Sequence, residues 1–298
     1  MEIVTLVENS CHDTRLQPEF GLSLLVNFSG GNILFDMGAS KRFAENAEAM
    51  GIDLAEVDGA VISHAHFDHG GGLAAFAEKN NRAPIYTAPG SGGSYYASVG
   101  AKMPLLLQPL LLPVLNNLPM FSRYIGLETS ALQDVAGRIE VVSGIKEILA
   151  DVFLLTEIKA QYPVAEGNKY LLEKSAQGMR RDPFNHELIM AIRESDGLTL
   201  FTGCGHRGII NMVETVQENF HQERIKAVVG GFHLALQPGK PRIAGTREDI
   251  ATIARKFKEA NVEKVITGHC TGEGACAILQ EELGENLVRL TTGSRHSV

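Results

Sequence analysis

The chain has no tryptophan and only four cysteines in 298 residues. Cys11, Cys204, Cys270 and Cys276 are too few to staple a fold of this length, so a reducing, cytoplasmic setting is expected. Basic excess is also missing: 27 Lys and Arg stand against 35 Asp and Glu, a net charge of −8. That balance argues against nucleic acid as a partner, which a basic face would recognise, but leaves room for a local anion pocket. The opening residues MEIVTL show no basic stretch followed by a long apolar one, so no signal peptide is expected. Long unbroken apolar runs are absent as well. The nearest is 103–121, MPLLLQPLLLPVLNNLPMF, which Gln108, Pro109, Pro113, Asn116, Asn117 and Pro119 interrupt. A spanning helix needs about 20 mostly apolar residues, so no membrane partner is expected. The stretch reads as short apolar helical turns: a buried insertion, a homodimer contact or a substrate lid.

What is present is a globular composition, 44% hydrophobic and 21% charged, with 31 glycines. This excludes a disordered or collagen-like chain and supplies many tight turns. Periodicity predicts strands at 3–7, 22–28 and 32–35, the last two joined by a hairpin at Ser29-Gly30-Gly31-Asn32. A helix follows over 40–50, opened by Ser40 and closed by Gly51, then a strand at 59–63, a helix at 73–79 and a strand at 84–87. Residues 90–135 are the least regular, and 90–160 is treated as an apolar, partly helical insertion. Strands are expected near 138–142 and 152–156, and a polar loop over 161–185. Strands at 187–193, 198–202, 225–230, 263–267 and 287–291 alternate with helices at 208–219, 246–260 and 274–283. The two halves share an element order. That suggests one α/β domain over 1–298 with two αβ layers facing each other, although alternation alone also permits a doubly wound sheet.

The densest chemical signal is His64-Ala65-His66-Phe67-Asp68-His69, directly after the strand Val61-Ile62-Ser63. Three imidazoles and a carboxylate within six residues suit Zn²⁺, Mn²⁺ or Fe. In a loop after a strand, this spacing lets His64 and His66 face one ion and Asp68 and His69 a second.

This run, H-x-H-x-D-H, resembles the signature of the metallo-β-lactamase superfamily. Phe35-Asp36-Met37-Gly38 and Gly70-Gly71-Gly72-Leu73 fit the same pattern. The resemblance implies a four-layer αββα sandwich in which Asp36 orients a metal-binding His from behind. It also implies further ligands from later in the chain: His186, Cys204, His206 and His269. His269, in Gly268-His269-Cys270-Thr271-Gly272, looks like the last metal-binding motif of the fold. Cys204 stands where the superfamily usually has a bridging Asp; a thiolate binds Zn²⁺ at about 2.3 Å, and His206 two residues on is the other candidate. His186 lies roughly where the third His of the first ion sits, without the usual surrounding motif. His233, in Gly230-Gly231-Phe232-His233-Leu234, is expected to contact substrate or donate a proton.

Thr202-Gly203-Cys204-Gly205-His206-Arg207-Gly208-Ile209-Ile210-Asn211, together with the two motifs around His233 and His269, is similar to one branch. That branch is labelled 7,8-dihydropterin-6-yl-methyl-4-(β-D-ribofuranosyl)aminobenzene 5′-phosphate synthase. Phe20 departs from it, since the branch often has His there. The resemblance implies a hydrolase of a small, phosphorylated or ester/lactone-type molecule, using water activated by one or two ions, Zn²⁺ first and Mn²⁺ or Fe as alternatives. Asp68 would accept the water's proton and His233 would serve the leaving group or the oxyanion. Thr271 and Gly272, opening a helix, and Lys240, Arg242 and Arg247 are candidates to hold an anionic part of the substrate. A pterin-pathway synthase or lyase on the same site, and a non-catalytic metal-containing sensor, are the competing readings. A nuclease-type branch conflicts with the charge, and a two-iron redox branch typically has Glu where His66 stands.

Overall fold

The computed structural model describes residues 1–98, 121–236 and 242–298. Residues 103–120 of the Leu/Pro-rich stretch, and Lys240, lie outside them. Two seven-stranded sheets stack face to face. In spatial order, the first holds Arg295–Ser297 (β18), Glu2–Val7 (β1), Ser23–Phe28 (β2), Gly31–Phe35 (β3), Gly59–Val61 (β4), Ile85–Thr87 (β5) and Ile139–Val141 (β8). The second holds Leu287–Arg289 (β17), Lys264–Thr267 (β16), Ile225–Gly230 (β15), Gly197–Thr202 (β14), Ile189–Glu194 (β13), Val152–Leu155 (β10) and Ile145–Leu149 (β9).

Both sheets bury both faces, and the side chains alternate accordingly. In β3, Ile33 and Phe35 point into the space between the sheets while Leu34 points to the outer helices. In β13, Met190 and Ile192 point inward and Ile189 and Ala191 outward. The helices Arg42–Ala49 (α1), Phe67–Gly70 (α2) and Leu73–Lys79 (α3) belong to the first half. Ile209–Asn219 (α5), Arg247–Glu259 (α6) and Gly272–Leu283 (α7) belong to the second. The result is the expected four-layer αββα sandwich, with one core between the sheets and one under each helical layer.

Local chemistry explains the elements. Phe28 pairs with Gly31 across a two-residue turn, and Gly31 takes φ +139°, which glycine adopts without steric cost. Helix α6 opens with a reciprocal Thr246–Asp249 capping box and buries Ile250, Ile253, Ala254 and Phe257 along one stripe.

The stretch 161–185, expected to be loop, is instead ordered. It forms a 3₁₀ turn at Glu166–Tyr170 and a hairpin of Leu171–Ser175 (β11) and Gly178–Arg181 (β12). β11 pairs with Tyr95–Ser98 (β6), and β6 with Ser122–Tyr124 (β7), giving a third, four-stranded sheet; Thr129–Asp134 (α4) follows. These strands are largely polar because one face meets water. Glu173 and Arg180 sit opposite each other and form an ion pair. Among the described residues, no helix is long and apolar enough to cross a membrane.

Phe35 and Phe201 meet across the two sheets with ring centroids 5.9 Å apart, each at the end of a strand that runs into the candidate site. Phe35→Ala is expected to lower unfolding free energy by about 3–5 kcal/mol, read from the urea midpoint, because both rings are fully buried.

Candidate metal centre

Every expected ligand but one comes from the segment that follows the C-terminal end of a strand in the parallel parts of the two sheets. Asp36 follows β3, His64 to His69 follow β4, Cys204 and His206 follow β14, His233 follows β15 and His269 follows β16. Neighbouring parallel strands release their loops on one side, so distant segments meet there.

The side chains converge in two overlapping groups. His64, His66 and His206 each offer a ligand atom within 4.8 Å of one another, and so do His64, His69 and Cys204. His64 Nε2 lies 3.1 Å from His66 Nδ1. His69 Nε2 lies 3.2 Å from His269 Nε2 and 3.2 Å from Cys204 Sγ. Asp68 Oδ2 stands 3.4 Å from His269 Nε2 and 3.8 Å from His69 Nε2. All of these residues are buried.

Four of the rings are held from behind through Nδ1. Asp36 Oδ2 accepts from His69 Nδ1 at 2.6 Å, while the Ser63 N–H and hydroxyl donate to the same carboxylate at 2.7 Å each. Ser63 Oγ, its proton committed to Asp36, accepts from His64 Nδ1 at 2.9 Å. Asn168 Oδ1 accepts from His206 Nδ1 at 3.0 Å, and Asn9 Oδ1 from His269 Nδ1 at 3.2 Å. Each Asn side chain also donates through Nδ2 to the same histidine's carbonyl, which fixes which end is oxygen. In His64, His69 and His206 these bonds put the ring proton on Nδ1 and leave Nε2 as a bare lone pair facing inward.

That arrangement fits a cation. His69 has spent its N–H outward on Asp36, so its bare Nε2 faces His269 Nε2 at 3.2 Å, with Asp68 Oδ2 alongside. His206 Nε2 is buried without a partner among the described residues. A divalent ion satisfies such lone pairs together. Burial, then the neighbouring imidazoles, hold His64 and His206 well below the usual imidazole range, and burial and His186 bring His66 down to about 3. His269 differs: although burial opposes it, its bond to Asp68 lifts it to about 9, so this position already attracts positive charge. Burial pushes the Cys204 thiol well above its ordinary value, with Cys270 adding to the rise.

The remaining expected residues divide. His186 lies in a separate group: its Nδ1 accepts from the Ala65 N–H at 3.0 Å and its Nε2 lies 2.9 Å from Asp182 Oδ2, and with His66 and Asp182 it offers ligand atoms within 4.8 Å of one another. Its bond to Ala65 braces the loop between His64 and His66. Thr271 does not face a substrate space: its buried Oγ1 accepts from the Phe232 N–H at 3.0 Å and pairs with Thr267 Oγ1 at 2.6 Å. Gly272 packs against Ala235, where an added Cβ would come within 2.6 Å. Arg247 is exposed and paired with Glu281, and Arg242 is exposed. His233 is half-buried beside the cluster, its ring 4.2 Å from that of His206 and its Nδ1 without a partner among the described residues.

Several residues that hold the site carry no sequence signal. Asn168, Asn9 and Glu8 lie far along the chain from the rings they touch. Glu8 accepts the His269 N–H at 2.7 Å, and Glu187 accepts the N–H groups of His206 and Arg207 at 2.8 and 2.7 Å. Burial pushes Glu187 up to about 8. Ser63 alone was within reach, being next to His64 at the strand end.

Comparison with known proteins agrees with this geometry. Residues 16–91 match the metallo-β-lactamase superfamily. A Methanocaldococcus jannaschii protein named 7,8-dihydropterin-6-methyl-4-(β-D-ribofuranosyl)-aminobenzene-5′-phosphate synthase is 27% identical, over 98% of this chain and 95% of its own. A solved metal-dependent hydrolase of the β-lactamase superfamily is 29% identical with a TM-score of 0.79, covering 100% of this chain and 99% of that one. Zn²⁺-bound PqqB from Methylobacterium extorquens, 11% identical with a TM-score of 0.56 over the full length of both chains, shares the fold alone. With its imidazoles gathered where the parallel strands end, the chain is similar to the metallo-β-lactamase superfamily, in sequence over residues 16–91 and in fold over its whole length.

Proposed function

We propose that this chain is a metal-dependent hydrolase of a small, anionic or ester-type molecule, with Zn²⁺ as the expected ion. The observation that carries this reading is the set of inward Nε2 lone pairs fixed by outward Nδ1 bonds, with His69 and His269 facing each other at 3.2 Å. His64 Nε2, His66 Nδ1 and His206 Nε2 would hold one ion. Asp68, His69 and His269 would hold a second, with Cys204 between the two in place of a carboxylate. Bound there, a divalent ion supplies Lewis acidity and lowers the pKa of water from about 15.7 to near 7.

The chain's own residues supply the rest. Asp68 stays ionised: burial works against its charge, but the facing His69 and His269 hold its carboxyl well below the usual range. That charge would help to hold the second ion and would accept a hydrogen bond from water there. His233, half-buried beside His206, is placed to give a proton to the leaving group or to steady the developing negative charge. The net charge of −8 favours a small substrate over nucleic acid. A synthase reaction on the same residues is the second reading. The relative named a synthase supports it, since that protein matches nearly the whole chain.

Four outcomes are expected. Elemental analysis of the purified protein should find up to two equivalents of divalent metal. Thorough EDTA treatment should abolish turnover in a screen of esters, lactones and phosphodiesters, with Zn²⁺ or Mn²⁺ restoring it; turnover indifferent to chelation would overturn the reading. Cys204→Ala should weaken the second equivalent by more than about tenfold in chelator competition, while Cys204→Asp keeps it bound. His233→Ala should leave metal content unchanged and lower kcat by about 100-fold or more.

A further inference from the structure

Asn168 touches the site from an unexpected direction. It lies in the 3₁₀ turn Glu166–Tyr170, which runs directly into β11 of the four-stranded inserted sheet. Its side chain grips His206 twice: Oδ1 accepts from the ring Nδ1–H at 3.0 Å, and Nδ2 donates to the His206 carbonyl at 2.7 Å. Asn168 is itself buried. On the opposite side, Phe184 stacks on the same ring, centroids 4.2 Å apart and planes 9° from parallel. The neighbouring Gly167 passes so close to His233 that an added Cβ would fall 2.9 Å from its Nε2. The hydrogen bond to the His206 ring and the ring stacked flat on it therefore both come from the segment around the inserted hairpin, while His64, His66 and His233 from the main sheets meet it at a tilt.

We propose that Asn168 is a positioning residue that couples the inserted sheet to the first metal position. By holding the Nδ1 proton of His206, it aims the bare Nε2 inward. Conversely, an ion on that Nε2 secures the turn from which β11 starts. The inference rests on the hydrolase reading only in requiring that His64, His66 and His206 bind an ion. Linkage makes the coupling reciprocal: what the insertion adds to metal affinity, the metal adds to the order of the insertion.

The test uses the full chain as wild type, Asn168→Leu and Asn168→Asp. Zn²⁺ affinity is measured by chelator competition, and Co²⁺ absorption reports the geometry around the ion. Hydrogen exchange is followed in β11 and β12 with and without Zn²⁺. Asn168→Leu is expected to weaken one of the two equivalents about 10–100-fold. Asn168→Asp, which keeps an acceptor for the ring proton, should lose clearly less. Zn²⁺ should slow exchange in the hairpin of the wild type, and at saturating Zn²⁺ that protection should be smaller in Asn168→Leu.

Wild-type Zn²⁺ affinity in Asn168→Leu would overturn the proposal. So would hairpin exchange that ignores Zn²⁺ in the wild type, or a lower Tm with no change in affinity or in the Co²⁺ spectrum, which marks a merely structural role. Failure of the wild type to bind any ion is a different result and sinks the hydrolase reading itself.

Discussion

Two imidazole nitrogens aimed at each other 3.2 Å apart inside the protein, with a carboxylate beside them, are the constraint around which the rest is arranged. Left to themselves, His69 and His269 would turn one ring to make a hydrogen bond. They do not, because Asp36 and Asn9 claim the other nitrogen of each. Buried polar atoms normally find partners, so a pocket that fixes ring nitrogens against one another is built for something positive to join them. The lift of His269 to about 9, driven against burial by Asp68, reports the same field.

Holding that arrangement places strain on the backbone, and the strain is local. Among the described residues, six other than glycine have positive φ, and four of these (Asp36, Phe184, His233 and His269) belong to the site. Such conformations cost of order 1–3 kcal/mol each and persist where the surroundings over-determine them. Around His269 that over-determination is visible: Glu8 takes its N–H, Asn9 its carbonyl and its ring. The two sheets supply the stiffness beneath. Phe35 and Phe201 lock them together within a few residues of Asp36 and Cys204, and close packing allows little drift.

The fold was legible because its strands are buried on both faces and its glycine turns are sharp. The hairpin at Phe28–Gly31, the helix over Leu73–Lys79 and the strand at Ile225–Gly230 are as periodicity predicts. The inserted sheet was not legible. Its strands carry Glu173, Lys174, Arg180 and Arg181, and a strand with one wet face at a sheet edge lacks the apolar pattern that gives strands away. In the site, a cluster as dense as His64 to His69 announces itself. For His186, spacing along the chain carries no information about which way a ring nitrogen is committed. Its bonds to Ala65 and Asp182 are a tertiary fact. Asn9 and Asn168 stayed hidden for the same reason, as ordinary polar residues made important by what lies opposite.

Cys204 shows how the two levels combine. By position it replaces a carboxylate, and by geometry its sulfur reaches His69 Nε2 at 3.2 Å, between the two ligand groups. Burial, with Cys270 adding to it, pushes its thiol up, which keeps it protonated and a poor ligand. A divalent ion reverses that, since metal binding drives a coordinating thiol to its thiolate. On the proposed reading the same residue would be a small neutral side chain in the absence of positive charge and an anionic ligand in its presence. A buried carboxylate, ionised far more readily, would instead bring repulsion with Asp68 into the apo pocket. On this reasoning the thiol makes the second ion's binding more dependent on pH than a carboxylate would, because a proton must leave for each ion that enters.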